Sequence, residues 1–331
     1  MKLNFSNNDY KNKAIKTISN SIKDIRSLSR ENAFIILIHG ISFENLENLC
    51  SSVADKLNIT IKDAYNIIQH PNNNIKHIII ESAYELLKNN KHMGEKYTVD
   101  NKFNLSSWIS HSLYEAQASE NIASMLSINS EFAFCYGLLH DYGRKFSHNF
   151  DHVIIGFEQL SDLNLCKYAK GCLTHSFING ERYCNNEYID NGFEVKNGKV
   201  LLNNKYKKED IYEVLQSSNY NLYDDILNIA DLMATDSGIV SPEKRVSDIA
   251  KRRNNIESSK NRCYFIASLS NLLLKILNIY GTKLNIEYID IGNNNLEEIK
   301  DKFIIISNLF YNEYNRFLAN QKENNEKRIQ L

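Results

Sequence analysis

Only two prolines, Pro71 and Pro242, interrupt a chain of 331 residues. Proline inside a helix removes a backbone hydrogen bond and clashes with the preceding turn, so a chain this poor in proline meets few barriers to helix. Long stretches also place apolar residues three and four apart, the period of a helix that buries one face. Together these features predict a mostly α protein. Punctuation falls to asparagine, clustered at 72–74, 185–186, 203–204 and 293–295. Its short polar side chain competes for backbone hydrogen bonds and favours turns.

The periodic stretches sort into three units. Candidate helices at about 10–28, 43–56, 60–69 and 75–89 form an N-terminal helical domain, expected over residues 1–95, to which no motif assigns a role. A middle unit is expected over 96–257, and a mainly helical C-terminal region over 258–331. The last unit carries a helix near 262–278, a short strand at Leu284 to Ile291, and a long final helix with a charged tail. Within the middle unit, Phe193 to Leu202 alternates loosely about Asn197-Gly198. That dipeptide accepts positive φ at both central positions of a tight turn, so a small β-hairpin insertion is expected there.

Composition narrows the class. Apolar residues make up 43% and charged residues 24%, as in globular proteins. Lys and Arg number 39 against 40 Asp and Glu. Net charge therefore gives no argument for nucleic acid or an anionic membrane as partner. The first residues lack the apolar core of a secretory signal. The longest strongly apolar run, Ala33 to Ile41, is broken by His39 and Gly40. It falls far short of the roughly 20 residues a membrane span needs. A cytoplasmic protein without membrane contact is the expectation. Six cysteines spread through so long a chain suggest thiols rather than a disulfide framework. A zinc site of Cys166, Cys172, His175 and Cys184 lacks a compact Cys-x-x-Cys pair and is disfavoured against buried thiols.

The chemistry concentrates in the middle unit, where five of the nine histidines (His111, His140, His148, His152, His175) fall between positions 111 and 175. Ser106 to Leu126 reads as one amphipathic helix with His111 near its start. The next helix opens at Asn129-Ser130-Glu131 and runs to His140-Asp141, with Gly143 suited to a left-handed closing residue. His140 and Asp141 then point about 100° apart on the last turn, where a ring nitrogen and a carboxylate can close on one ion. A third helix begins at Asp151-His152 and a fourth runs from Asn164 to about His175. A fifth, from Tyr223, sets Asp231 among apolar residues, where an unpaired carboxylate is costly. A divalent cation shared with His111, His140 and Asp141 would satisfy it.

His111, then His140-Asp141 in the setting Gly-Leu-Leu-His-Asp-Tyr-Gly-Arg, then Asp231 follow the His, His-Asp, Asp order of the HD superfamily of metal-dependent phosphohydrolases. Over about residues 103–253 the chain resembles that family. Asp151-His152-Val-Ile-Ile-Gly156 and Thr174-His175-Ser176 resemble its two later histidine segments. The resemblance implies an HD-type helical bundle carrying one or two divalent metal ions. It assigns one ion to His111, His140, Asp141 and Asp231, and a second to His152 and His175 with Asp141 shared. Imidazole and carboxylate donors suit iron, manganese or zinc better than magnesium. His148 is a weaker candidate, as proton donor or as a register alternative to His152.

The same resemblance implies hydrolysis of a phosphoester or phosphoanhydride in a nucleotide or related small phosphorylated molecule, with hydroxide attacking phosphorus. Asp141, Arg144 and Lys145 are expected at the chemistry, Arg144 and Lys145 as cations meeting substrate phosphate. Lys244 and Arg245, on a basic helix opening at Pro242, could close over the site; a solvated helix face is the alternative. A Gly-Tyr-Pro signature of the cyclic-dinucleotide subgroup does not follow His175. The competing reading is a signalling or scaffold protein that binds a ligand or partner without turnover, with homo-oligomerisation open. Nucleic-acid processing ranks last, because the basic segment from Lys244 to Arg262 lacks an aromatic stacking platform.

Overall fold

Most of the helix-sized apolar stripes in the sequence have counterparts in a computed structural model of the chain. The structure describes residues 27–38, 43–69, 74–89, 105–145, 152–178, 181–182, 220–252, 269–275 and 296–329, with residues 16 and 71 besides. Its helices are α1 (Arg30–Ile38), α2 (Phe43–Leu57), α3 (Ile61–Gln69), α4 (Lys76–Asn89), α5 (Leu105–Met125), α6 (Ser130–Leu139), α7 (His152–Asp162), α8 (Cys166–Thr174), α9 (Leu222–Asp231), α10 (Pro242–Arg252) and α11 (Leu296–Ile329). A 3-10 turn, Tyr142–Lys145, joins α6 towards α7. Two-residue strands β1 (Phe177–Ile178) and β2 (Glu181–Arg182) pair antiparallel after α8. The protein is mostly helical, as the proline-poor sequence predicts. The expected hairpin around Asn197-Gly198, the first helix, the strand at Leu284 to Ile291 and His148 lie outside the described residues.

Local signals set the boundaries that matter for the site. Asn129 caps α6 by accepting from the Phe132 N–H at 2.9 Å, and Asn221 and Asp224 form a reciprocal capping box on α9. Asn58, Ser127 and Asn164 take left-handed backbone just beyond α2, α5 and α7. Asn164 thus ends one helix, and the next starts at Cys166 rather than at Asn164 as expected.

Gly143 is not left-handed. Its smallness matters for a different reason: a Cβ there would lie 1.8 Å from the His152 carbonyl oxygen and 2.6 Å from the Gly156 nitrogen. The 3-10 turn crosses the start of α7 at backbone contact, which brings His152 beside the end of α6. Gly143→Ala must push α7 away, and we expect a loss of at least about 2 kcal/mol in chemical denaturation, from overpacking against rigid backbone.

Two buried clusters share α5 and α9. In the first, Leu37, Leu49, Ile68 and Ile79 from α1–α4 join Ile109, Leu138, Phe157, Tyr168 and Leu227. The N-terminal helices therefore pack directly on the histidine-bearing ones. Polar contacts follow the same seam: the Leu28 N–H donates to the Tyr168 hydroxyl at 2.8 Å, and Arg30 pairs with Glu120. In the second cluster, Ile122, Ile226, Ile229 and Met233 meet Leu269, Leu272, Phe303, Ile306 and Phe310. Held from both sides, α5, α6 and α9 present their polar residues to one another. Among the described residues, no helix is long and apolar enough to cross a membrane.

Candidate metal centre

Five helices bring their polar residues to one point. His111 lies nearly two turns inside α5, His140 and Asp141 directly follow α6, His152 opens α7, His175 caps the end of α8, and Asp231 ends α9. His111, His140, Asp141, His152 and His175 are all buried. The Asp231 side chain retains 23% exposure and marks the open edge of the cluster.

The Asp141 carboxylate sits at the centre with its two oxygens facing different rings. Oδ1 is 3.0 Å from His152 Nε2 and 3.6 Å from His175 Nε2. Oδ2 is 3.5 Å from His140 Nε2 and 4.0 Å from His111 Nε2. His111 Nε2 in turn lies 2.9 Å from Asp231 Oδ1, the partner that the buried position of Asp231 called for. All six residues expected as ligands thus converge. His152 approaches through Asp141 and stands outside the two tightest groups, which are His111, Glu115, His140 and Asp231, and His140, Asp141 and His175.

Ring orientation makes these nitrogens available. His140 Nδ1 lies 2.6 Å from the Gly137 carbonyl, and His175 Nδ1 lies 2.8 Å from the Cys172 carbonyl. A carbonyl only accepts, so each Nδ1 carries hydrogen and each Nε2 is turned to the cluster. Burial pushes His111 below the ordinary imidazole range against the pull of Asp231, and pushes His175 down to about 3, with the His140 charge adding to it. Neutral imidazole is the form that binds metal. Burial also disfavours charge on His140, but the Glu115 and Asp141 carboxylates outweigh it and hold that ring well up. Asp141 stays ionised despite burial because Arg144, His140 and His152 surround it, and Asp231 is held low by His111.

A cation fits this donor set. His140 Nε2 and Asp141 Oδ1 are fully buried without hydrogen-bond geometry to any neighbour. Such atoms each cost about 1–3 kcal/mol when left unsatisfied. An ion among them would receive nitrogen and carboxylate lone pairs already pointing inward. The cluster can hold a metal ion; its donors do not specify which.

The expected phosphate-binding cations divide. Arg144 Nε pairs with Asp141 Oδ2, so its guanidinium lies at the cluster. The Lys145 side chain lies outside the described residues. On α10, Arg245 is largely buried, pairs with Asp248 at 3.7 Å and stands close enough for its charge to disfavour protonation of His111. Lys244 is exposed on the same helix. Cys172 is buried and donates to the Leu139 carbonyl at 3.2 Å, consistent with a packed thiol.

Sequence reasoning missed Glu115, which is fully buried and meets His140 Nδ1 through Oε2. The signal was its four-residue spacing from His111, which stacks the two on one helix face. Behind the cluster lies a second missed feature. Asp224 accepts from Lys170 at 2.6 Å, Tyr136 at 2.7 Å and Thr174 at 2.8 Å, all buried, tying α6, α8 and α9 together.

Fold and site define a mostly helical protein with a buried histidine and aspartate cluster able to hold metal. No protein-family model matches the chain, and neither curated proteins nor solved structures provide a match.

Proposed function

We propose that the chain is a metal-dependent phosphohydrolase of the HD type, acting on a phosphoester or phosphoanhydride of a nucleotide or related small molecule. The observation that carries this reading is the Asp141 carboxylate, whose two oxygens face two separate imidazole pairs. His111, His140, Asp141 and Asp231 would hold one ion, and His152 and His175 a second across Asp141. A bound divalent ion supplies Lewis acidity, activating water as a nucleophile and neutralising charge on phosphoryl oxygens.

The chain's own groups do the rest. Arg144 offers a forked cation beside Asp141, matched to the geometry of phosphate. Arg245 adds positive charge on the His111 side, so an anionic substrate would be drawn between them. Burial of the imidazoles keeps bulk water from the reacting atoms and strengthens each charge interaction.

The test is metal analysis of purified full-length protein, then turnover of a panel of phosphomonoesters, phosphodiesters and nucleotides with manganese or iron supplied. Metal-dependent release of phosphate or nucleotide supports the proposal. A metal-loaded protein that turns over none of them, with Asp141→Ala altering only partner binding, would indicate the scaffold role instead. Once a substrate is found, Arg144→Ala is expected to lower kcat/KM about 10- to 100-fold, the scale of a lost hydrogen bond to a charged group. Arg144→Lys should recover part of that loss, because charge remains and the fork does not.

A further inference from the structure

We propose that Glu115 is a positioning residue, whose carboxylate backs His140 from behind and strengthens its Nε2 as a metal ligand. The inference rests on the reading that the cluster holds a metal, and it concerns a residue that the resemblance does not assign.

Glu115 is 0% exposed, and neither of its oxygens has complete hydrogen-bond geometry to a neighbour. A carboxylate so placed is costly unless it is matched to a charge or a strong donor. Its Oε2 meets His140 Nδ1, the nitrogen that the Gly137 carbonyl also contacts at 2.6 Å. The other ring nitrogen, Nε2, faces Asp141 Oδ2 at 3.5 Å. An ion bound by Nε2 lies along that nitrogen's lone pair, which points away from Nδ1. Glu115 Oε2 therefore stands on the Nδ1 side of the ring, away from an ion on Nε2. From there a carboxylate orients the imidazole and raises its donor strength, as outer carboxylates do at histidine metal sites. A Glu115 oxygen also lies within 4.8 Å of ligand atoms of His111, His140 and Asp231, and direct ligation is the alternative that visible absorption separates.

His175 provides an internal contrast. Its Nδ1 meets a backbone carbonyl, that of Cys172 at 2.8 Å. Gly137 alone would give His140 an equivalent tautomer, so what Glu115 adds is a carboxylate acceptor across the ring, which burial pushes towards the neutral form and the His140 ring draws back towards the ionised one. His140 and His111 are joined through α5, since Glu115 follows His111 by one turn of the same helix. One helix thus contributes both a ligand and the support of a second ligand.

The experiment uses full-length protein and Co(II), with affinity measured against a competing chelator and the coordination sphere followed by visible absorption. Glu115→Gln, which keeps shape and removes charge, is expected to bind Co(II) about 10- to 100-fold more weakly. The visible bands should keep the wild-type intensity, because no direct ligand is lost. Glu115→Asp, which keeps the charge, is expected at an intermediate affinity. Wild-type affinity in Glu115→Gln overturns the proposal. A change of band intensity that signals a lost ligand overturns it too, as does equal weakening in Glu115→Asp, which would indicate lost packing. If Glu115→Gln does not fold, proton NMR of zinc-loaded wild type decides: a His140 Nδ1 proton well downfield of the His175 Nδ1 proton, as a charged acceptor produces, supports the inference, and equal shifts overturn it. A wild type that binds no Co(II) overturns this inference together with the metal reading beneath it, whereas a metal-binding wild type with an unaffected Glu115→Gln overturns this inference alone.

Discussion

Asp141→Ala is expected to abolish metal retention and to reduce turnover at least about a thousandfold, the scale seen when a group central to transition-state stabilisation is removed. The reason lies in the position of its carboxylate, whose oxygens lie 3.0 and 3.6 Å from one pair of imidazoles and 3.5 and 4.0 Å from the other. Removing it leaves two groups of neutral or partly charged rings with no anion between them. Thermal denaturation provides a readout independent of substrate. A ligand present at a hundred times its Kd stabilises the folded state by about 2.7 kcal/mol. In a protein of this size that raises Tm by about 4 °C. Wild type should show such a rise with manganese or zinc and lose it to chelator. Asp141→Ala should show neither change while remaining folded. An equal metal-dependent rise in the variant would place the ion elsewhere.

Asp224→Ala is expected to be the most destabilising of the substitutions considered, at about 3–5 kcal/mol, because it leaves the buried Lys170 ammonium without its anion. Lys170 and Asp224 are both almost fully buried, and Asp224 also accepts from Tyr136 and Thr174 and from the Asn221 N–H at 2.8 Å. The network reaches the candidate site at two points. Thr174 precedes His175, and Asp224 lies two turns before Asp231 on α9. Loss of the carboxylate should therefore loosen metal binding as well as the fold. Urea denaturation should show the midpoint falling, and chelator competition should show weaker metal retention. A double variant, Lys170→Met with Asp224→Leu, removes both charges and should recover part of the stability. If Asp224→Ala unfolds at the wild-type urea concentration, the network is not holding α6, α8 and α9 together.

How far the sequence foretold these features depended on whether the signal was local. Helix starts at Asn129 and Pro242 follow from signals within a few residues, and the structure places α6 and α10 there, whereas α9 begins at Leu222 behind the Asn221 cap, one residue before the expected Tyr223. Convergence of His111, His140, Asp141, His152, His175 and Asp231 was legible chiefly because their order along the chain resembles that of a known metal-binding family. Gly143 was legible as special but for another reason. Its backbone meets His152 and Gly156, a contact between segments nine or more residues apart that no turn propensity encodes. Glu115, despite its spacing from His111, and Lys170 were missed for a different cause. Charged residues on helices are usually solvated, and only packing of α5 against α6, and of α8 against α9, removes water from these two. Burial of a charge is decided by what covers it, and the cover comes from distant sequence.

The direct test of the central claim is anomalous diffraction at the manganese edge from crystals of the full-length protein grown with manganese. The account predicts a peak roughly 2.0–2.3 Å from His140 Nε2 and an Asp141 oxygen, the range of metal bonds to imidazole and carboxylate. Well-ordered His140 and Asp141 with no anomalous peak between them, at manganese concentrations that saturate any binding in solution, would contradict it.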